Sequence, residues 1–319
     1  MKILLSKLTI TVVLSFLIVL CGKAESLKVV TTCGMVTSIV EEVAGEVSEV
    51  EGLMGSGVDP HLYKPTRSDV LKMADADVIF YSGLMLEGRM ADTFARMSRK
   101  GKKVYAVTEL LDDRYLMEPE EFEGHWDPHV WNDVSAWKKA TEMVVVAMSE
   151  VDPANAATYK SKGEAYMAKL AELDAYVRKV LATIPKEKRY LITAHDAFGY
   201  FARAYDIEVR SVQGVSTASA AGVDDINQLV DFIVEKDISA IFVENITSDK
   251  GLQAVVEGCR SRGHDVVIGG TLFSDAMGAD GTYEGTYLGM VDHNATLIAR
   301  ALGGQAPEKG LNGKLTLEE

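Results

Sequence analysis

Four short segments each carry one side chain suited to a transition-metal ion: His61 in GVDPHLY, His129 in WDPHVW, His195 in TAHDAFGYF and Asp275 in LFSDAMG. A neutral imidazole donates one nitrogen lone pair, and a carboxylate adds negative charge through one oxygen or two. Three imidazoles and one carboxylate fill a tetrahedron if the acid is monodentate and five positions if it is bidentate. The first arrangement suits zinc, the second manganese. Pro60 and Pro128 stiffen the backbone before the first two histidines, and Asp59, Asp127 and Asp196 are near enough in sequence to orient the rings as outer carboxylates. A single Asp-Pro-His carries little weight, because Asp-Pro is a common turn pair and a loop histidine is usually solvated. The joint occurrence of four such loops carries the reading.

The remaining histidines set the contrast. His125 lies in an acidic loop without a proline frame and could collect cations weakly; His264 and His293 read as structural. Cys33 ends the first predicted strand and could line the same crevice, where a soft thiolate would favour zinc. Packing of a small residue is the preferred reading for it.

Ligands scattered across the chain require a fold that brings distant loops to one point. From Leu27 onward, short β-rich runs alternate with helical patterns, which is an α/β signature. Strands are predicted at 27–32, 47–54, 77–81, 103–107, 189–193, 208–212, 240–244 and 265–268. The intervening helices are predicted at 35–44, 68–74, 85–98, 134–149, 198–204, 223–236, 250–262 and 286–302. Between 153 and 184, Tyr159, Tyr166, Leu170, Leu173, Val177, Val180 and Ile184 recur at steps of three, four and seven, the spacing of one long amphipathic helix. Pro153 starts it and Pro185 stops it, so it could run roughly 45 Å at 1.5 Å per residue. The expected architecture is therefore α/β with two lobes, each a mostly parallel sheet flanked by helices, joined by one long backbone helix. The N-terminal lobe spans 25–152, the linking helix 153–185 and the C-terminal lobe 186–302, with a loose polar tail at 303–319. Each lobe then contributes two ligands, near the carboxyl ends of strands, where open parallel sheets bind their ligands.

The N-terminus reads as an export signal. Lys2 and Lys7 precede an apolar run from Leu8 to Leu20, which at about 13 residues is shorter than the ~20 needed to span a bilayer. Cleavage after Ala24 would start the chain at Glu25; alternatively Ile18-Val19-Leu20-Cys21 resembles a lipoprotein signal, with Cys21 acylated, although Leu20 is bulky for that role. The protein is thus expected outside the cytoplasm, periplasmic or membrane-anchored through Cys21. Cys33 and Cys259 would then remain, too few for a disulfide framework. Acids outnumber bases 47 to 33 in the whole chain, giving a net charge of -14, and loss of 1–24 removes three lysines and no acid. No basic stretch stands out in the exported part, which argues against nucleic acid as a partner.

The segments LMGSGVDPHLY, DPHVWNDV, LITAHDAFGYFARAY, QGVSTAS and GGTLFSDAMG, in this order over about residues 27–302, closely resemble the metal-binding solute receptors of ABC transporters, the TroA-like group that takes up zinc and manganese. The resemblance implies a monomeric, non-enzymatic binding protein with a long helix as backbone, a metal held between lobes by His61, His129, His195 and Asp275, and delivery to a membrane permease. Glu often stands in place of His195 in manganese-selective members, and a long His-rich acidic loop marks many zinc receptors. This chain has neither, so Zn²⁺ and Mn²⁺ both stand as candidate cargo. A continuous helix between lobes would restrict metal-linked motion to small tilts and loop rearrangements. Two other readings compete: a secreted zinc hydrolase with Asp275 as general base, against which no HExxH helix or nucleophile elbow occurs, and a surface adhesin, for which no motif specifies a partner.

Overall fold

The computed structural model describes residues 26–218 and 221–316, so the predicted signal peptide and Cys21 lie outside the described residues. Apolar β-branched runs form the interior strands. In the N-terminal lobe, β1 (Leu27–Thr31), β2 (Ser48–Gly52), β3 (Val78–Tyr81) and β4 (Lys103–Ala106) make one parallel sheet in the order β2-β1-β3-β4. Helix α1 (Gly34–Ala44) buries Met35, Val36, Ile39, Val40 and Val43, an inward stripe at helical spacing. Helix α2 (Arg67–Asp75) begins at a capping box, in which Thr66 Oγ1 accepts the Asp69 N–H and the Asp69 carboxylate accepts the Thr66 N–H.

Two helices tie the lobes together. Helix α4 (Val134–Val151) is capped by Asp133, and α5 (Ala156–Leu181) follows a short 3₁₀ turn at Pro153–Asn155. The 26 residues of α5 rise about 39 Å, somewhat less than predicted, because the first turn winds as 3₁₀ and the helix ends before Ile184. Its buried face, including Tyr159, Tyr166, Leu170, Leu173 and Val177, packs on α1, α4 and, from the second lobe, α9 (Tyr287–Ala301). Gly163 permits the close approach of α4: a Cβ there would stand 2.3 Å from Val145 Cγ2.

In the C-terminal lobe β5 (Tyr190–His195) pairs with β6 (Glu208–Gln213), and β7 (Ala240–Glu244) with β8 (Val267–Leu272), both in parallel. The two pairs lie side by side through β5 and β7. Helices α6 (Gly199–Tyr205), α7 (Val223–Glu235) and α8 (Lys250–Ser261) connect them. A separate core of Ile192, Leu229, Val230, Ile233, Ile241, Leu252 and Val255 lies on the α7 and α8 side, whereas Leu191, Phe242 and Leu272 join the large core shared with α5 and α9. Among the described residues no helix is long and apolar enough to cross a membrane.

Three sequence expectations are corrected. The helix predicted at 85–98 is shorter: α3 (Ala91–Arg99) follows a turn in which Gly83, Leu84 and Met85 all have positive φ. Buried Glu87 fixes that turn by accepting the Thr32 hydroxyl at 2.6 Å and the N–H groups of Ser82 and Gly83. Strand β8 runs through Gly269-Gly270 to Leu272, beyond the predicted end at 268. At Gly270 (φ 139°) a Cβ would stand 2.8 Å from Leu297, so the missing side chain lets α9 lie directly on the strand. The tail is not loose over 303–316: Gln305 N–H bonds Thr183 Oγ1, Leu311 N–H bonds Asp292, Thr316 N–H bonds Glu284, and Leu315 is buried.

Candidate metal centre

His195 is the last residue of β5, His129 precedes a 3₁₀ turn leading to α4, His61 sits in the loop after β2, and Asp275 follows β8. The fold brings one donor atom of each within 4.8 Å of all the others. Asp275 is the hub. Its Oδ2 stands 3.1 Å from His61 Nε2 and 3.3 Å from His195 Nε2, and its Oδ1 3.5 Å from His129 Nε2; the Nε2 atoms of His61 and His129 are 3.2 Å apart. Four ligands about 2.05 Å from one zinc at tetrahedral corners would stand roughly 3.3 Å from each other. These four separations match that figure.

All four residues are shielded, His61 at 9% exposure being the most accessible. The contacts to Asp275 have the lengths of ion pairs, and both of its oxygens and His195 Nε2 are buried without a hydrogen bond. A buried polar atom left in this way costs about 1–3 kcal/mol. A divalent cation would satisfy all of them together.

Carboxylates behind the rings fix their orientation. Asp127 Oδ1 accepts the His129 N–H at 2.9 Å and faces its Nδ1 at 2.7 Å. Glu244, at the end of β7, repeats the device on His195: Oε1 accepts the N–H groups of Ala194 and His195 at 2.7 and 2.9 Å, and Oε2 meets His195 Nδ1 in a close ion pair. Both rings therefore turn Nε2 toward Asp275, and the outer carboxylate makes each nitrogen a better donor. Burial alone would lower the pKa of His129, but the Asp275 and Asp127 carboxylates outweigh it and raise it to about 9. For His195, Glu244 and Asp275 likewise overcome burial and hold the ring well above the usual histidine range. Burial would raise the Asp275 pKa; the adjacent His195 and His129 instead hold it well below the ordinary carboxylate range.

Of the three aspartates expected to orient rings, Asp127 does so. Asp59 instead accepts the backbone N–H of His61 at 2.8 Å and the hydroxyl of Thr217 at 2.6 Å. The ring partner of His195 is Glu244, 49 residues further along the chain rather than its neighbour Asp196. Glu244 was missed by the sequence reading; its signal was a carboxylate closing the otherwise apolar strand AIFVE. Also missed were bonds from the His129 segment across the cleft: Trp131 Nε1 donates to Ser274 O at 2.9 Å, beside Asp275, and Asn132 Nδ2 to Ala197 O at 2.8 Å, beside the His195 segment. Tyr200 Oη, from α6, donates to Asp127 O at 2.9 Å.

Cys33 is buried at the start of α1, and burial together with Glu87 pushes its thiol far above the ordinary range; it lies outside the four-residue group and is unpaired, as is Cys259. His125 is exposed beside Phe122, whereas His264 and His293 contact backbone carbonyls at Ile238 and Thr271. Glu244→Gln keeps an acceptor for the two backbone N–H groups but removes the negative charge behind His195. It is expected to weaken metal binding about 10–100-fold in chelator competition, and unchanged affinity would show that Glu244 supports the backbone alone.

The ZnuA family, described as zinc-uptake complex component A periplasmic, matches residues 29–301. The zinc-binding protein TroA of Treponema pallidum is 45% identical over 274 residues, covering 86% of this chain and 88% of the relative. The manganese-binding lipoprotein MntA of Bacillus subtilis is 42% identical over 278 residues, covering 87% and 90%. Among solved structures, the periplasmic zinc-binding protein TroA from Treponema pallidum superposes with a TM-score of 0.84 at 44% identity, over 87% of this chain and 99% of that one. A family match running from the middle of β1 to the end of α9, on a fold and site of this form, means that this chain belongs to the ZnuA family.

Proposed function

We propose that this protein captures one divalent transition-metal ion, zinc or manganese, through His61, His129, His195 and Asp275, and delivers it outside the cytoplasm to the permease of an ABC transporter. The convergence of four buried donor atoms from four separate segments carries the reading, with Asp275 left without hydrogen bonds at their centre. The ion is cargo. Similarity to a zinc-binding protein and to a manganese-binding lipoprotein at nearly equal identity supports both metals. On general affinity order zinc binds more tightly, so the ion carried in a cell also depends on supply. We read the chain as a monomeric receptor rather than a hydrolase: Asp275 faces all three imidazoles as a fourth ligand, where a general base would stand aside from the metal. Export follows from residues 1–24, with Glu25 or an acylated Cys21 as the new N-terminus.

Elemental analysis of protein purified without added metal, followed by competition between zinc and manganese, tests the assignment. One equivalent of transition metal per chain, exchangeable between the two, is the expected result. Protein that binds neither ion would contradict it.

A further inference from the structure

His61 is held differently from the other two imidazoles. Buried carboxylates stand behind the rings of His129 and His195, whereas Asp59 holds His61 only through its backbone. Oδ1 of Asp59 accepts the N–H groups of His61 and Leu62, at 2.8 and 3.4 Å, and Oδ2 accepts the hydroxyl of Thr217 at 2.6 Å. Thr217 lies in the segment after β6, on the opposite lobe, within the QGVSTAS motif that the metal site itself leaves without a task. The His61 loop also differs in its lead-in. It follows Gly55 and Gly57, where an added Cβ would meet nothing within 4 Å, while His195 is built into a strand and the Asp275 segment is pinned by Trp131 and Asn294.

We propose that the Asp59–Thr217 hydrogen bond is a latch between the lobes that keeps His61 on the metal, and that its opening is the first step of release. One carboxylate connects the two: one oxygen orders the backbone of the metal loop, the other grips the far wall of the cleft. Parting the lobes slightly breaks the second bond and frees the His61 loop. His129, His195 and Asp275 keep their supports, so the ion is left with three protein ligands and an open side facing an acceptor. This mechanism needs no wide hinge movement, in keeping with an unbroken α5 between the lobes.

The inference rests on the metal-binding reading above, and the test separates the two. Zinc-loaded full-length exported protein is mixed with excess chelator, and the dissociation rate is followed for wild type, Thr217→Val, Thr217→Ala and Thr217→Ser. A hydrogen bond to a charged acceptor carries the latch, so Val and Ala are expected to release zinc about tenfold faster. Ser keeps the hydroxyl and is expected to release near the wild-type rate, with one zinc bound per chain in every variant. Wild-type rates in both Val and Ala would overturn the latch, as would equal acceleration in Ser, which would assign the effect to packing. Failure of the wild type to bind zinc or manganese at all would instead overturn the metal-binding reading, and the latch with it.

Discussion

Asp275→Ala is expected to lower metal affinity by at least about 10³-fold while leaving a folded protein. Loss of an outer carboxylate behind a ligand costs about 10–100-fold, and Asp275 is a direct ligand in this account and the one negative charge among the four. It alone approaches all three imidazoles, at 3.1, 3.3 and 3.5 Å. Without it the ion would face three neutral donors in a buried site, and its charge would be poorly compensated. The fold is expected to survive, because His129 and His195 keep Asp127 and Glu244 as partners when the Asp275 carboxylate is removed. Asp275→Asn, similar in shape but uncharged, should fall between wild type and Ala. Isothermal titration with zinc, beside circular dichroism of the metal-free variants, measures both parts. Near wild-type affinity in Asp275→Ala would remove the carboxylate from the coordination sphere.

Apparent affinity is expected to rise with pH from 6 through neutrality, with a slope of between about one and two decades per pH unit. The sign follows from what the ion displaces. An imidazole must be neutral to bind metal, and His129, with its pKa raised to about 9, carries a proton at neutral pH in the metal-free protein. His195 is shifted in the same direction by Glu244 and Asp275. Loading therefore expels protons throughout the interval below these raised values, and the slope flattens as pH passes through about 9. Histidines with an unperturbed pKa of about 6.5 would give a plateau already above neutrality, so the position of the plateau reports the buried carboxylates. Titrations in buffers of different ionisation enthalpy count the released protons directly. Affinity that is flat between pH 6 and 8 would contradict the protonated metal-free site.

The convergence of His61, His129, His195 and Asp275 was legible because each sits in a short segment of unusual composition: Asp-Pro-His twice, then Ala-His-Asp and Phe-Ser-Asp. The α/β alternation was legible because strands such as VIFY and AIFVE are apolar on both faces. Tertiary choices decided the rest. Glu244 supports a ring 49 residues earlier only because β5 and β7 lie side by side, a neighbourhood that no local pattern encodes. Asp59 matched Asp127 in spacing and Asp196 adjoined His195, yet Asp59 turns to Thr217, and the ring of His195 finds its partner on another strand. The predicted strand at 265–268 stopped short of the two glycines that β8 runs through, where α9 lies on the strand. The tail appeared loose by composition, while buried Asp292 gives Leu311 a partner that only the folded chain supplies.

X-ray absorption spectroscopy of the zinc-loaded protein tests the central claim most directly. Three imidazole nitrogens and one carboxylate should give one ion per chain with a shell of N/O scatterers at about 2.0–2.1 Å and the outer-ring scattering of about three histidines. A sulfur scatterer near 2.3 Å would assign the ion to Cys33, and a shell of oxygens without imidazole scattering would place it on the acidic surface; either result would contradict the site described here.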